Sequence, residues 1–94
     1  MAYKIVINKR FISSLSNVLI YLEKEWNKKV ADDFLNKVDL KINVLQYHPY
    51  IGSLTKYKNV RGIHITKHNR LYYKVANNKV TILNLYDTRR KTYS

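Results

Sequence analysis

Ile65-Thr66-Lys67-His68-Asn69-Arg70-Leu71-Tyr72-Tyr73-Lys74-Val75, followed by Val80-Thr81-Ile82-Leu83-Asn84-Leu85-Tyr86-Asp87-Thr88-Arg89-Arg90, decides the fold. Residues that alternate between apolar and polar mark strands. From Arg70 to Ala76 the alternation sets Leu71, Tyr73 and Val75 on one face, the core face, and Arg70, Tyr72 and Lys74 on the other. Asn77-Asn78 suits a type I′ turn, because asparagine accepts positive φ. From Lys79 to Tyr86, Val80, Ile82 and Asn84 alternate with Thr81, Leu83 and Leu85. That strand is apolar on both faces, as a strand inside a sheet should be.

Working upstream, Val60 to Thr66 adds a strand in which Ile63 and Ile65 alternate with Gly62 and His64. Residues 54–59 are polar and read as a loop. His48-Pro49-Tyr50-Ile51-Gly52-Ser53 ends a helix, since Pro49 cannot continue one and Gly52 permits a turn. Between Lys9 and Trp26, apolar residues fall at Phe11, Leu15, Val18, Leu19, Leu22 and Trp26, which is helical spacing. The period restarts with Val30, Ala31, Phe34, Leu35, Val38, Ile42 and Leu45. Asn8 is placed to cap the first helix. Asn27 interrupts the two periods and suits a left-handed turn. Residues 2–7 form a short strand. The expected fold is α+β: an N-terminal strand, a helical hairpin, then three antiparallel strands forming one small sheet with both helices packed on one face. Residues 1–94 make one domain, and a chain this short buries one modest core.

The formal charge is +12, and its distribution is uneven. Residues 40–94 hold eleven of the eighteen Lys and Arg but only Asp87 of the six acids. A sheet this cationic is built to meet an anionic partner. The other five acids (Glu23, Glu25, Asp32, Asp33 and Asp39) lie among lysines on the polar faces of the helices. Absence of Cys excludes disulfides, thiolate metal sites and a cysteine nucleophile, and fits a reducing cytosol. The N-terminus does not read as a signal peptide, and no apolar run approaches the roughly 18 residues of a membrane span. A cytoplasmic protein with no membrane partner is expected. His48, His64 and His68 have no carboxylate at ligand spacing, and Gly-rich phosphate loops are absent, so neither a metal nor a cofactor is expected.

Taken in order, these pieces resemble the RelE/ParE toxins of bacterial type II toxin–antitoxin systems. The matching residues are Tyr21-Leu22 through Trp26, Ala31-Asp32-Asp33-Phe34, and Pro49-Tyr50-Ile51-Gly52. They continue with Val60-Arg61-Gly62, Thr66-Lys67-His68-Asn69-Arg70-Leu71-Tyr72-Tyr73 and the closing Asp87-Thr88-Arg89-Arg90. The resemblance implies one of two targets. RelE-like members cut mRNA, usually on the ribosome, whereas ParE-like members poison DNA gyrase and are not known nucleases. Either kind is neutralised by a small antitoxin whose C-terminal segment wraps the toxin through acidic and apolar residues. A cognate acidic antitoxin is thus the expected partner, with ribosome-bound mRNA or DNA gyrase as target. The first expectation is translation inhibition by metal-independent mRNA cleavage, with gyrase poisoning or an inert antitoxin-binding module as alternatives.

Cleavage through the 2′-hydroxyl needs a base, cations for the phosphorane and an acid for the leaving oxygen. The resemblance places Arg70 as the phosphate clamp, a role suited to a guanidinium that can pair two oxygens at once. It sets Arg90 beside the same phosphate and Tyr93 where nuclease members carry a C-terminal aromatic. His64 and His68 are the groups in this region whose unperturbed pKa lies near neutrality, so either could exchange the proton. Arg61, Lys67, Arg89 and Lys91 complete the expected RNA- or target-binding set. The chain also departs from the nuclease pattern. Loop 53–59 carries no glutamate base, and the second basic strand has Gly62 and His64 where another branch has paired lysines.

Overall fold

The computed structural model describes residues 2–87. Arg89, Arg90, Lys91 and Tyr93 therefore lie outside the described residues. The chain runs β1 (Lys4–Ile7), α1 (Lys9–Glu25), α2 (Lys28–Tyr47), β2 (Ser53–Leu54), β3 (Val60–His64), β4 (Asn69–Ala76) and β5 (Lys79–Asp87). Both helices start on asparagine. Asn8 Oδ1 accepts the Arg10 amide and Asn27 Oδ1 accepts the Val30 amide, each at 2.9 Å. Asn27 is extended, with φ of −168°. It caps α2 rather than closing α1 in the left-handed conformation, because a helix that starts one residue later has free amides to satisfy. Trp26 ends α1 at 69% exposure, outside the apolar stripe its spacing had joined.

Strand order is β1-β5-β4-β3-β2. The β3–β4 and β4–β5 pairs are antiparallel as expected, and Asn77 and Asn78 take φ of 53° and 60° in the turn between β4 and β5. The sheet is mixed rather than wholly antiparallel, for β1 pairs parallel with β5 from Lys4↔Lys79 to Ile7↔Ile82. Everything between the two, the helical hairpin and then β2, β3 and β4, makes the long connection that a parallel pairing requires. Inserted between β1 and β4, β5 is an inner strand, which accounts for its apolar character. Ser53, the last residue of the expected turn, and Leu54, the first of the expected 54–59 loop, add a short edge strand against Gly62 and Arg61.

One irregularity reassigns faces within β5. The ladder steps from Tyr72↔Asn84 to Tyr73↔Ile82, leaving Leu83 as an extra residue. An extra residue in one strand reverses the alternation beyond it. Leu85 consequently joins Val80 and Ile82 in the core, while Asn84 faces away from it with Tyr72. Sheet residues Leu71, Tyr73, Val75, Val80, Ile82 and Leu85 pack with Phe11 of α1 and Phe34, Val38 and Leu45 of α2 in one cluster. Ser14 of α1 stitches the bulged strand to the helix: its hydroxyl accepts the Leu85 amide and donates to the Phe11 carbonyl, both at 3.0 Å. Removing that hydroxyl by Ser14→Ala should cost about 1–2 kcal/mol, because a partly buried amide loses its acceptor. Urea denaturation would read the loss as a lower midpoint at unchanged slope.

Candidate functional site

With the helices on one face, the other face of the sheet is open, and pairing register decides what stands on it. Arg70 pairs with His64 on one side and Tyr86 on the other, while Tyr72 pairs with Gly62 and Asn84. These residues share the open face. The Arg70 guanidinium carbon lies 5.3 Å from the centre of the Tyr72 ring, and Nη1 donates to the Tyr72 hydroxyl at a long 3.5 Å. Tyr86 meets Tyr72 edge-on, with centroids 5.7 Å apart. A cation over an aromatic face and an edge-to-face pair each hold their partners in a defined orientation. Arg70 Nε is buried without a hydrogen-bond partner among the described residues, a cost that folding alone does not explain.

Around this cluster opens a groove of about 790 Å³. Arg70, Tyr72, Asn84 and Tyr86 contribute from the sheet, Lys56 and Tyr57 from the loop after β2, and Asn8 and Arg10 from the start of α1. The positive end of the α1 dipole therefore sits beside Arg10, Lys56 and Arg70. Among the described residues, no Asp, Glu or His lines the groove. Cations, tyrosine rings and asparagine amides converge on one concavity, which equips it to grip an anionic or aromatic surface.

The residues named from sequence are distributed as follows. Arg70 is at the centre. His64 is exposed on the same face, directly across from it. Lys67 and His68 occupy the turn joining β3 to β4, Lys67 exposed and His68 half-buried. Arg61 is turned to the other face. It pairs with Tyr73, and its Nη1 donates to the carbonyls of Tyr50 at 3.1 Å and Gly52 at 2.8 Å, with its guanidinium over the Tyr50 ring. Arg61 thus fastens the turn after α2 rather than lining the groove. Tyr86, Arg10, Lys56 and Tyr57 were not singled out beforehand. Tyr86 reaches the open face only through the bulge, and the others come from elements distant in sequence. Among the described residues, no group of His, Cys, Asp and Glu could hold a metal ion, and no helix is long and apolar enough to cross a membrane.

A helical hairpin packed on one face of a small mixed sheet is the fold of the RelE/ParE class of toxins. The chain belongs to the family described as the ParE toxin of type II toxin–antitoxin systems, parDE, which matches residues 5–92. Solved structures share the fold at low identity. A chain of the chromosomal ParDE system from P. aeruginosa has a TM-score of 0.79 at 11% identity, covering 92% of this chain and 96% of that one. One from the archaeal RelE–RelB complex of Pyrococcus horikoshii OT3 has a TM-score of 0.67 at 16% identity, covering 96% and 99%. Another, from the E. coli DinJ–YafQ toxin–antitoxin complex, has a TM-score of 0.64 at 12% identity, covering 95% and 96%. No curated protein sequence matches the chain.

Proposed function

We propose that this toxin acts as ParE-like members do, by gripping DNA gyrase through the open-face groove, without cutting RNA. The carrying observation is the lining of that groove: Arg10, Lys56 and Arg70 with Tyr57, Tyr72 and Tyr86, and no carboxylate or imidazole among the described residues that line it. Tyrosine and arginine in a pocket are the side chains that dominate protein contacts. Membership of the ParE family supports the same target. A cognate antitoxin keeps the toxin silent, in line with the toxin–antitoxin assemblies named among the solved structures of the same fold. Its acidic residues are matched to the cationic sheet, so the complex should weaken with added salt. Salt-independent affinity would show that the charge serves another purpose.

A second reading, mRNA cleavage, is favoured by His64 standing opposite Arg70 on the same face. In that reading Arg70 and Arg90 hold the phosphate, His64 or His68 exchanges the proton, Tyr93 meets the base or leaving group, and Lys67, Arg89 and Lys91 hold the strand. Expression of the chain without antitoxin separates the two. Gyrase poisoning should give DNA damage and filamentation with mRNA intact. Arrested protein synthesis with cleaved mRNA would replace the first reading by the second.

A further inference from the structure

The Arg70 side chain lies across β3 at Gly62. A methyl group on Gly62 would stand 2.6 Å from Arg70 Nε, 2.8 Å from Cζ and 2.9 Å from Nη2. All three nearest atoms belong to that one side chain. The glycine is not there for its backbone, since Gly62 has no positive φ. A glycine inside a strand is otherwise unfavourable, because it gives up more chain entropy than alanine and packs nothing. Its partner across the ladder is Tyr72, the ring that faces the Arg70 guanidinium. Gly62 below, Tyr72 beside it and Tyr86 at the edge of Tyr72 make a cradle. In it Nε is shut away from solvent, with its hydrogen unpaired among the described residues.

We infer that Gly62 is a positioning residue for Arg70: its bare α-carbon is the floor that lets the guanidinium lie flat in the groove, aimed at the target. The role rests on the reading of the groove as the toxic surface, and is independent of whether the target is gyrase or RNA. Gly52 shows the contrast. A methyl there would meet the Gly62 carbonyl oxygen at 2.8 Å as well as the Tyr73 hydroxyl, and a backbone oxygen cannot swing aside. At Gly62 the obstacle is a flexible side chain. Gly62→Ala therefore leaves the fold standing and evicts Arg70 from its place.

The test uses the full chain with two readouts. Hydrogen exchange at the Arg70 Nε–H, followed by NMR and assigned by its disappearance in Arg70→Lys, reports whether the side chain is seated. In the wild type this proton should be protected. In Gly62→Ala it should exchange about tenfold faster or more, and survival of cells expressing the toxin should rise about tenfold or more, towards the level of Arg70→Ala. Protection retained in Gly62→Ala, or full toxicity alongside lost protection, overturns the inference. Should Gly62→Ala fail to fold, the double variant Gly62→Ala with Arg70→Ala must fold, because the obstructing atoms are gone; its failure also overturns the inference. Full toxicity of Arg70→Ala alone would refute the groove as the toxic surface, while the exchange measurement still decides whether Gly62 seats Arg70.

Discussion

Arg70→Ala should abolish growth arrest while leaving the protein folded. A truncated arginine at a desolvated contact forfeits about 2–5 kcal/mol, which is a loss of roughly thirtyfold or more in affinity for the target. Stability should move little, because the substitution exchanges two opposing terms. It removes the packing of Arg70 on Tyr72, and it also removes a buried Nε that finds no acceptor among the described residues. An orphaned buried donor costs about 1–3 kcal/mol, comparable to what the aromatic contact returns. A site that carries such a cost when free is organised for something that arrives later. Colony survival on induction, read beside thermal denaturation, checks both halves. A variant that arrests growth normally, or one that melts far below the wild type, would contradict the assignment of Arg70.

The second large effect is expected at the turn after α2, where the fold is locked by side chains of the sheet. Gly52 donates its amide to the Tyr73 hydroxyl at 2.9 Å, and its carbonyl accepts from Arg61 Nη1 at 2.8 Å. Both polar groups of one buried residue are thus satisfied by neighbouring strands. Gly52→Ala puts a methyl 2.5 Å from the Tyr73 hydroxyl and 2.8 Å from the Gly62 carbonyl oxygen, with no room to relax. Overpacking of this kind costs about 3 kcal/mol, and in a domain of this size that lowers the melting temperature by roughly 10–20 °C. Tyr73→Phe acts on the same lock more gently, leaving the Gly52 amide buried without an acceptor at about 1–3 kcal/mol.

The lock also gives Tyr73 a pH dependence with a definite sign. Burial raises the pKa of its hydroxyl above the usual 10.0, and the Gly52 amide and the Arg61 charge only partly pull it back. Because the unfolded chain ionises first, the stabilisation by neutral Tyr73 is complete below about pH 10 and fades as pH rises through the folded value. The advantage of the wild type over Tyr73→Phe should therefore be constant below about pH 10 and shrink above it. Denaturation curves of the two proteins across that range measure the difference.

How far the sequence carries is clear from individual residues. Tyr73 reads as core from its alternation with Arg70, Tyr72 and Lys74, and it is fully buried. The Asn77-Asn78 turn is legible because two asparagines accept positive φ where most residues do not. The parallel partner of β1 is not legible, since β1 and β5 stand at opposite ends of the chain and share no turn that would announce their pairing. β2 is two residues long, too short for any period to show. Leu83, the bulge residue, is the same kind of residue as its apolar neighbours, so nothing in the chain marks where the alternation reverses. That single reversal misplaces Asn84 and Leu85 and hides Tyr86 from the site. Arg61 is different, for the signal was there: it alternates in phase with Ile63 and Ile65, whose face is the core. Gly62 could not be read at all, because its role exists only once register sets it beneath Arg70.

The most direct measurement of the account is a supercoiling assay with purified gyrase, the purified toxin and its Arg70→Ala variant. The account predicts that the toxin inhibits gyrase or traps it on cut DNA, that Arg70→Ala does neither, and that ribosome-bound mRNA stays intact with both. Gyrase unaffected by the wild-type chain, with mRNA cut in an Arg70-dependent way, would contradict it.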